Sequence, residues 1–101
     1  MITPTEVYLA KVRTTLRLQT TAFDDEITDY IMACREDLVQ LGVLENKVTD
    51  EADGLVLGAV RAYVRWRFSS DAVLAERSKS DYYDMRDEMR LRYDYTEEVA
   101  T

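Results

Sequence analysis

Histidine is missing from this chain of 101 residues, and cysteine occurs once, at Cys34. The first absence removes the commonest general base and the commonest zinc ligand; the second rules out an internal disulfide and a thiolate metal cluster. Glycine and proline are scarce, at three and one, too few for a turn-rich β-sandwich. The sequence contains no Gly-rich phosphate loop and no EF-hand spacing. It shows no secretory leader and no apolar run that would span a bilayer, so a reducing cytoplasm is the expected compartment. Basic residues are in deficit, 13 Lys and Arg against 20 Asp and Glu, for a net charge of -7. That balance argues against a non-specific grip on phosphates, which needs a basic surplus. A binder of protein partners fits better, in a single domain whose Ala, Leu, Glu, Arg and Met content favours an all-α fold.

What the chain does contain is organised around Gly54 to Phe68, GLVLGAVRAYVRWRF. A helix apolar nearly all round is a buried one. At about 22 Å it would cross a small domain and fall well short of a ~30 Å hydrocarbon core. It is expected to be the central helix of a four-helix bundle, with Gly58 marking close approach of a neighbouring helix.

The other elements follow from caps and periodicity. Thr3-Pro4-Thr5-Glu6 reads as a helix start with Thr3 and Glu6 as a capping box, and Val7, Tyr8, Val12 and Leu16 continue it to Arg17. Thr20 or Thr21 caps a second helix, with Thr21 three residues before Asp24 and with Asp24, Asp25 and Glu26 in the first turn. Its seam is Ile27, Ile31, Cys34, Leu38 and Leu41, and Gly42 ends it. The connection to Thr49 is expected to pack down through Val43, Leu44 and Val48, with Asp50 and Asp53 capping the central helix. Ser69-Ser70-Asp71 starts a long charged helix from about Ala72 to Tyr93, with Glu88 and Arg92 as an i,i+4 pair. The candidate core is Leu16, Ile27, Ile31, Leu38, Leu55, Ala59, Tyr63 and Trp66. Beyond about Tyr95 the chain is expected to be a flexible tail.

Candidate chemistry is thin. Cys34 lies in the apolar seam, where a structural role outweighs a nucleophilic one. Asp24-Asp25-Glu26 and Asp87-Glu88 read as helix-start charges and a solvated face, not as an acid/base pair. No catalytic, cofactor or metal residue is expected. Arg61, Arg65 and Arg67 interrupt the apolar run; Arg61 and Arg65 share a face, suited to pairing with acid within the chain or on a neighbouring subunit. The long last helix has a thin apolar stripe, Leu74, Tyr82, Met85, Met89 and Tyr93. Such a stripe belongs to a half-solvated helix, or to one whose Tyr, Met and Arg residues another chain covers.

Three stretches carry a family resemblance. Val12 to Leu18 followed by Thr20 to Ile27, then Ala33 to Val43, then Ala59 to Phe68 together resemble the head-tail connector (adaptor) proteins of long-tailed bacteriophages. Ser69 follows Phe68 where the family often has Phe-Gly, and Ser78 to Tyr95 is similar in style alone. The resemblance implies a non-enzymatic virion protein at the head-tail junction, assembled in the cytoplasm of a bacterial host. It implies a homo-oligomeric ring, roughly twelvefold, that docks on the portal protein and receives the next neck or tail-completion protein. DNA would pass through the lumen without specific binding. The subunit or portal interface expected on this basis is Tyr82, Tyr83, Arg86, Met89, Arg90, Arg92, Tyr93 and Tyr95.

Two readings from other classes compete with this one. A small acidic cytoplasmic regulator would mask a basic protein partner and stay monomeric or dimeric. A helical DNA binder using Arg61, Arg65 and Arg67 would show strongly salt-dependent affinity.

Overall fold

The computed structural model of the protein describes residues 1–97. Among the described residues there are six helices: α1 (Glu6–Thr15), α2 (Asp24–Leu41), α3 (Glu45–Val48), α4 (Gly54–Phe68), α5 (Ala72–Arg90) and α6 (Tyr93–Thr96). The four long helices are those of the expected bundle; α3 and α6 are single turns that periodicity does not reveal. The molecule measures 45 × 28 × 19 Å.

The central helix occupies residues 54–68 as its composition demands, with Val56, Ala59, Val60, Ala62, Tyr63 and Val64 buried. Asp53 caps it by accepting from the Val56 amide at 2.9 Å. A Cβ on Gly58 would lie 3.3 Å from Met85 Sδ, so α5 approaches α4 closely at the position without a side chain. Against α4 pack the seam of α2 (Ile27, Ile31, Cys34 and Leu38) and Tyr8, Leu9 and Val12 of α1. Of the expected core, Ile27, Ile31, Leu38, Ala59 and Tyr63 are buried, while Leu16, Leu55 and Trp66 are half-buried at its edge. Val7 points to solvent, because the buried stripe of α1 begins one residue later, at Tyr8.

Several local expectations give way to tertiary contacts. Helix α1 is capped by Thr5, not Thr3: Thr5 Oγ1 accepts from the Tyr8 amide. The carboxylate that completes the box comes from Glu51, which takes the Thr5 amide at 2.9 Å and the Thr5 hydroxyl at 2.5 Å across 46 residues. Helix α2 has no side-chain cap; Thr20 accepts from Ala22, and Asp24 is drawn instead into a bidentate pair with Arg13 at 2.9 and 2.6 Å that ties α1 to α2. Helix α5 stops at Arg90, three residues before Tyr93, so the Glu88 to Arg92 spacing is no longer helical and Arg92 pairs with Asp94 at 3.1 Å.

The chain past Arg92 is held as far as the structure describes it. Tyr95 is buried; its hydroxyl donates to the Asp53 carboxylate at 2.8 Å and its carbonyl accepts from the Leu44 amide at 2.8 Å. The expected tail therefore does not begin at Tyr95, and its last residues, 98–101, lie outside the described residues.

Helices α1 and α2 end on the same six-to-one motif. In α2, Val43 N donates to Leu38 O and Gly42 N to Val39 O, with Gly42 left-handed at φ 115. In α1, Leu18 N donates to Arg13 O and Arg17 N to Thr14 O, but the left-handed residue is Arg17, at φ 57. It is the one non-glycine with positive φ among the described residues.

Candidate interaction surfaces

Helix α5 is amphipathic in a narrow sense: Ser78, Tyr82 and Met89 are its buried residues, with Met85 half-buried between them. Around Tyr82 an aromatic cluster spans α4 and α5. Tyr63 meets Trp66 at 5.4 Å and Tyr82 at 5.1 Å, edge to face, and Tyr83 lies 5.7 Å from Tyr82. Cations border the cluster: Arg67 stands 5.2 Å and Lys79 5.6 Å from the Trp66 ring, and Arg86 5.4 Å from that of Tyr83. Asp37 of α2 anchors it from the other side, accepting from Tyr82 Oη at 2.6 Å and Arg86 Nε at 3.0 Å. Burial, with the Cys34 and Asp37 neighbours, pushes the Tyr82 phenol far above its ordinary value. Burial pushes the Cys34 thiol up to about 12, which makes it a packing residue and not a nucleophile.

The expected interface residues therefore divide. Tyr82, Met89 and Tyr95 are 1%, 0% and 5% exposed and belong to the chain's own core. Tyr82 and Met89 lie on the inward stripe of α5, Tyr82 against Tyr63 of α4 and Asp37 of α2, and past the break after Arg90 Tyr95 is drawn in by Asp53 and Leu44. Tyr83, Arg90, Arg92 and Tyr93 are exposed and Arg86 half-buried. Leu91, which periodicity does not single out, is 78% exposed at the α5–α6 turn, next to Tyr93 at 64%.

The opposite end of α5 holds an open cleft of about 460 Å³, lined by Thr15, Leu16, Arg17, Arg65, Phe68, Ser69 and Leu74. Its aromatic edge continues into Phe23, whose ring meets Phe68 at 5.5 Å. Arg65 and Arg17 form no ion pair among the described residues, although the chain is rich in acid. Pairing of Arg61 or Arg65 within the chain, one of the two fates expected for them, does not occur among the described residues.

A second charged group lies in the interior. Arg35 is fully buried on α2 beside Tyr8, donating to the Ile2 carbonyl at 2.9 Å and lying 3.7 Å from Glu51. Burial would raise the Glu51 carboxyl, but its bonds from Thr5 and the charge of Arg35 outweigh that and lower it. No group of His, Cys, Asp and Glu among the described residues could hold a metal ion, and no helix is long and apolar enough to cross a membrane.

Comparison with known proteins adds one finding: the sequence profile of the phage connector protein family matches residues 8–96. No curated protein and no solved structure gives a significant match.

Proposed function

The chain belongs to the phage connector protein family, a family of structural phage proteins, and on that premise we propose that it is a head-tail connector subunit. In this reading copies of the chain close into a ring, roughly twelvefold, in the virion neck. The ring docks on the portal, and the next neck or tail-completion protein docks on the ring. The match across α1 to α6 carries the reading.

The surface chemistry supports it. The accessible members of the α5–α6 face, Tyr83, Arg86, Arg90, Arg92 and Tyr93, are of the types that enrich protein interfaces. Tyr82, Met89 and Tyr95 shape that face from beneath. A net charge of -7 suits a wall that DNA slides past, since an acidic lumen repels the duplex.

The test is the mass of the purified chain by light scattering, alone and mixed with a portal ring. A ring-sized mass in either sample supports the reading; a monomer or dimer that ignores the portal overturns it. In the same preparation Tyr93→Ala should lower ring or portal association. Normal assembly of that variant would remove the α5–α6 face from the interface.

A further inference from the structure

We propose that the cleft at the start of α5 receives the α5–α6 turn of the neighbouring copy, with Leu91 and Tyr93 entering between Leu16, Phe68 and Leu74. This rests on the ring reading and assigns its subunit contact.

Four observations carry it. The cleft and the turn lie at opposite ends of one helix: Leu74 and Leu91 are about 25 Å apart along α5 at the helical rise, in a molecule 45 Å long. A chain therefore cannot fill its own cleft, and a contact between two such different patches is heterologous, the kind that closes rings. Second, both partners are apolar and open: Leu91 and Tyr93 are the exposed tips of one turn, and Leu74 is 40% exposed in the cleft.

Third, the charges match. Arg17 and Arg65 line the cleft without an ion pair among the described residues, while Arg92 and Arg90 on the turn are engaged by Asp94 at 3.1 Å and Asp87 at 4.0 Å. Glu88, one turn before Leu91 on the same face, has no pair among the described residues. The turn is thus apolar with acid left over, and the cleft is apolar with cations left over. Fourth, Arg17 is held left-handed where α2 uses Gly42 for the same motif. A side chain kept at a position that disfavours it points to a role beyond closing the helix.

The experiment uses the full chain with Leu74→Cys and Leu91→Cys together, oxidised at the concentration where wild-type mass is measured by light scattering. Both positions are exposed, and Cys34 is buried. The expected result is a ladder of covalent multimers spaced by one chain of 11.7 kDa and running past the dimer. Either single-cysteine variant should give dimers at most. Rings by scattering with no such ladder overturn this contact and leave the ring reading standing. No assembly and no ladder, alone or with a portal ring, overturns both. Cross-linking of Leu74→Cys to an added portal or tail protein in place of the ladder assigns the cleft to that protein and also overturns the proposal. As a second variant, Arg17→Gly should need about tenfold more protein for half-assembly while its unfolding midpoint holds or rises. Assembly at the wild-type concentration would remove Arg17 from the contact.

Discussion

Arg17 sits at φ 57, where its Cβ crowds the following carbonyl. Glycine in this place loses that crowding, so Arg17→Gly should stabilise the isolated chain by about 1 kcal/mol, read as a higher urea midpoint with an unchanged slope. A lower midpoint would mean that the arginine side chain contributes to the fold more than its backbone conformation costs. At the same scale, Asp53 caps α4 and accepts the Tyr95 hydroxyl at once. Asp53→Ala should cost about 2 kcal/mol, from a lost cap and a buried hydroxyl left without its acceptor. Tyr95→Phe should cost about 1 kcal/mol. In the double variant the two losses should be less than additive, because they share one hydrogen bond. Strict additivity in a double-mutant cycle would show that Tyr95 and Asp53 do not interact in solution.

Among the elements, the contact of α4 with α5 is the most extensive, and Gly58 is a point of close approach within it. Alanine there removes a helix-propensity penalty of about 1 kcal/mol, and its Cβ meets only the flexible end of Met85, so Gly58→Ala should be neutral or mildly stabilising. Gly58→Leu has no such room and should destabilise by about 2 kcal/mol or more. Thermal midpoints of the two variants moving together would contradict this packing. The charged face of α5 reads in the sequence as half-solvated or as covered by another chain. Where that face ends is not legible there, because the break after Arg90 has neither glycine nor proline to announce it. The pull of Asp53, Leu44 and Lys47 on Tyr95 comes from elements some 50 residues earlier, and residue spacing within α5 carries no trace of it.

For the whole molecule, pH bears on both ends of the stability range. Glu51 is lowered in the folded state, so its contribution is present above the ordinary carboxylate value of ~4.3 and is lost as pH falls through its own lower value. Tyr8 and Tyr95 are pushed up to about 12, by burial first in both cases, and Tyr82 is raised further. A phenol raised in the fold stabilises below the unfolded value of ~10, and that contribution is lost as pH rises toward about 12. Urea midpoints should therefore fall at both the acid and the alkaline side, and phenolate absorbance of these three tyrosines should appear together with unfolding. Glu51→Gln should flatten the acid side and lower the midpoint at neutral pH, since it removes the carboxylate facing the buried Arg35 charge.

The four long helices, their order and their apolar seams were determined by sequence alone, because each depends on contacts within a few residues: periodic burial along α2 and α4, Asp53 and Asp71 as caps, Gly42 as a stop. Membership of the connector family was legible in the same way, from runs of residue type that fall on α1, α2 and α4. Tertiary structure decided the rest. It exchanged Thr3 for Thr5 as the first cap by bringing up Glu51, and it buried Arg35, which the sequence does not single out, beside Tyr8. It also sorted the tyrosines of the last helices, sending Tyr82 and Tyr95 inward to Asp37 and Asp53 and leaving Tyr83 and Tyr93 outside. The cleft beside Arg17 and Arg65 arises where the ends of α1 and α4 meet the start of α5. Its residues stand far apart in the chain, and only the packing of three helix ends brings them to one place.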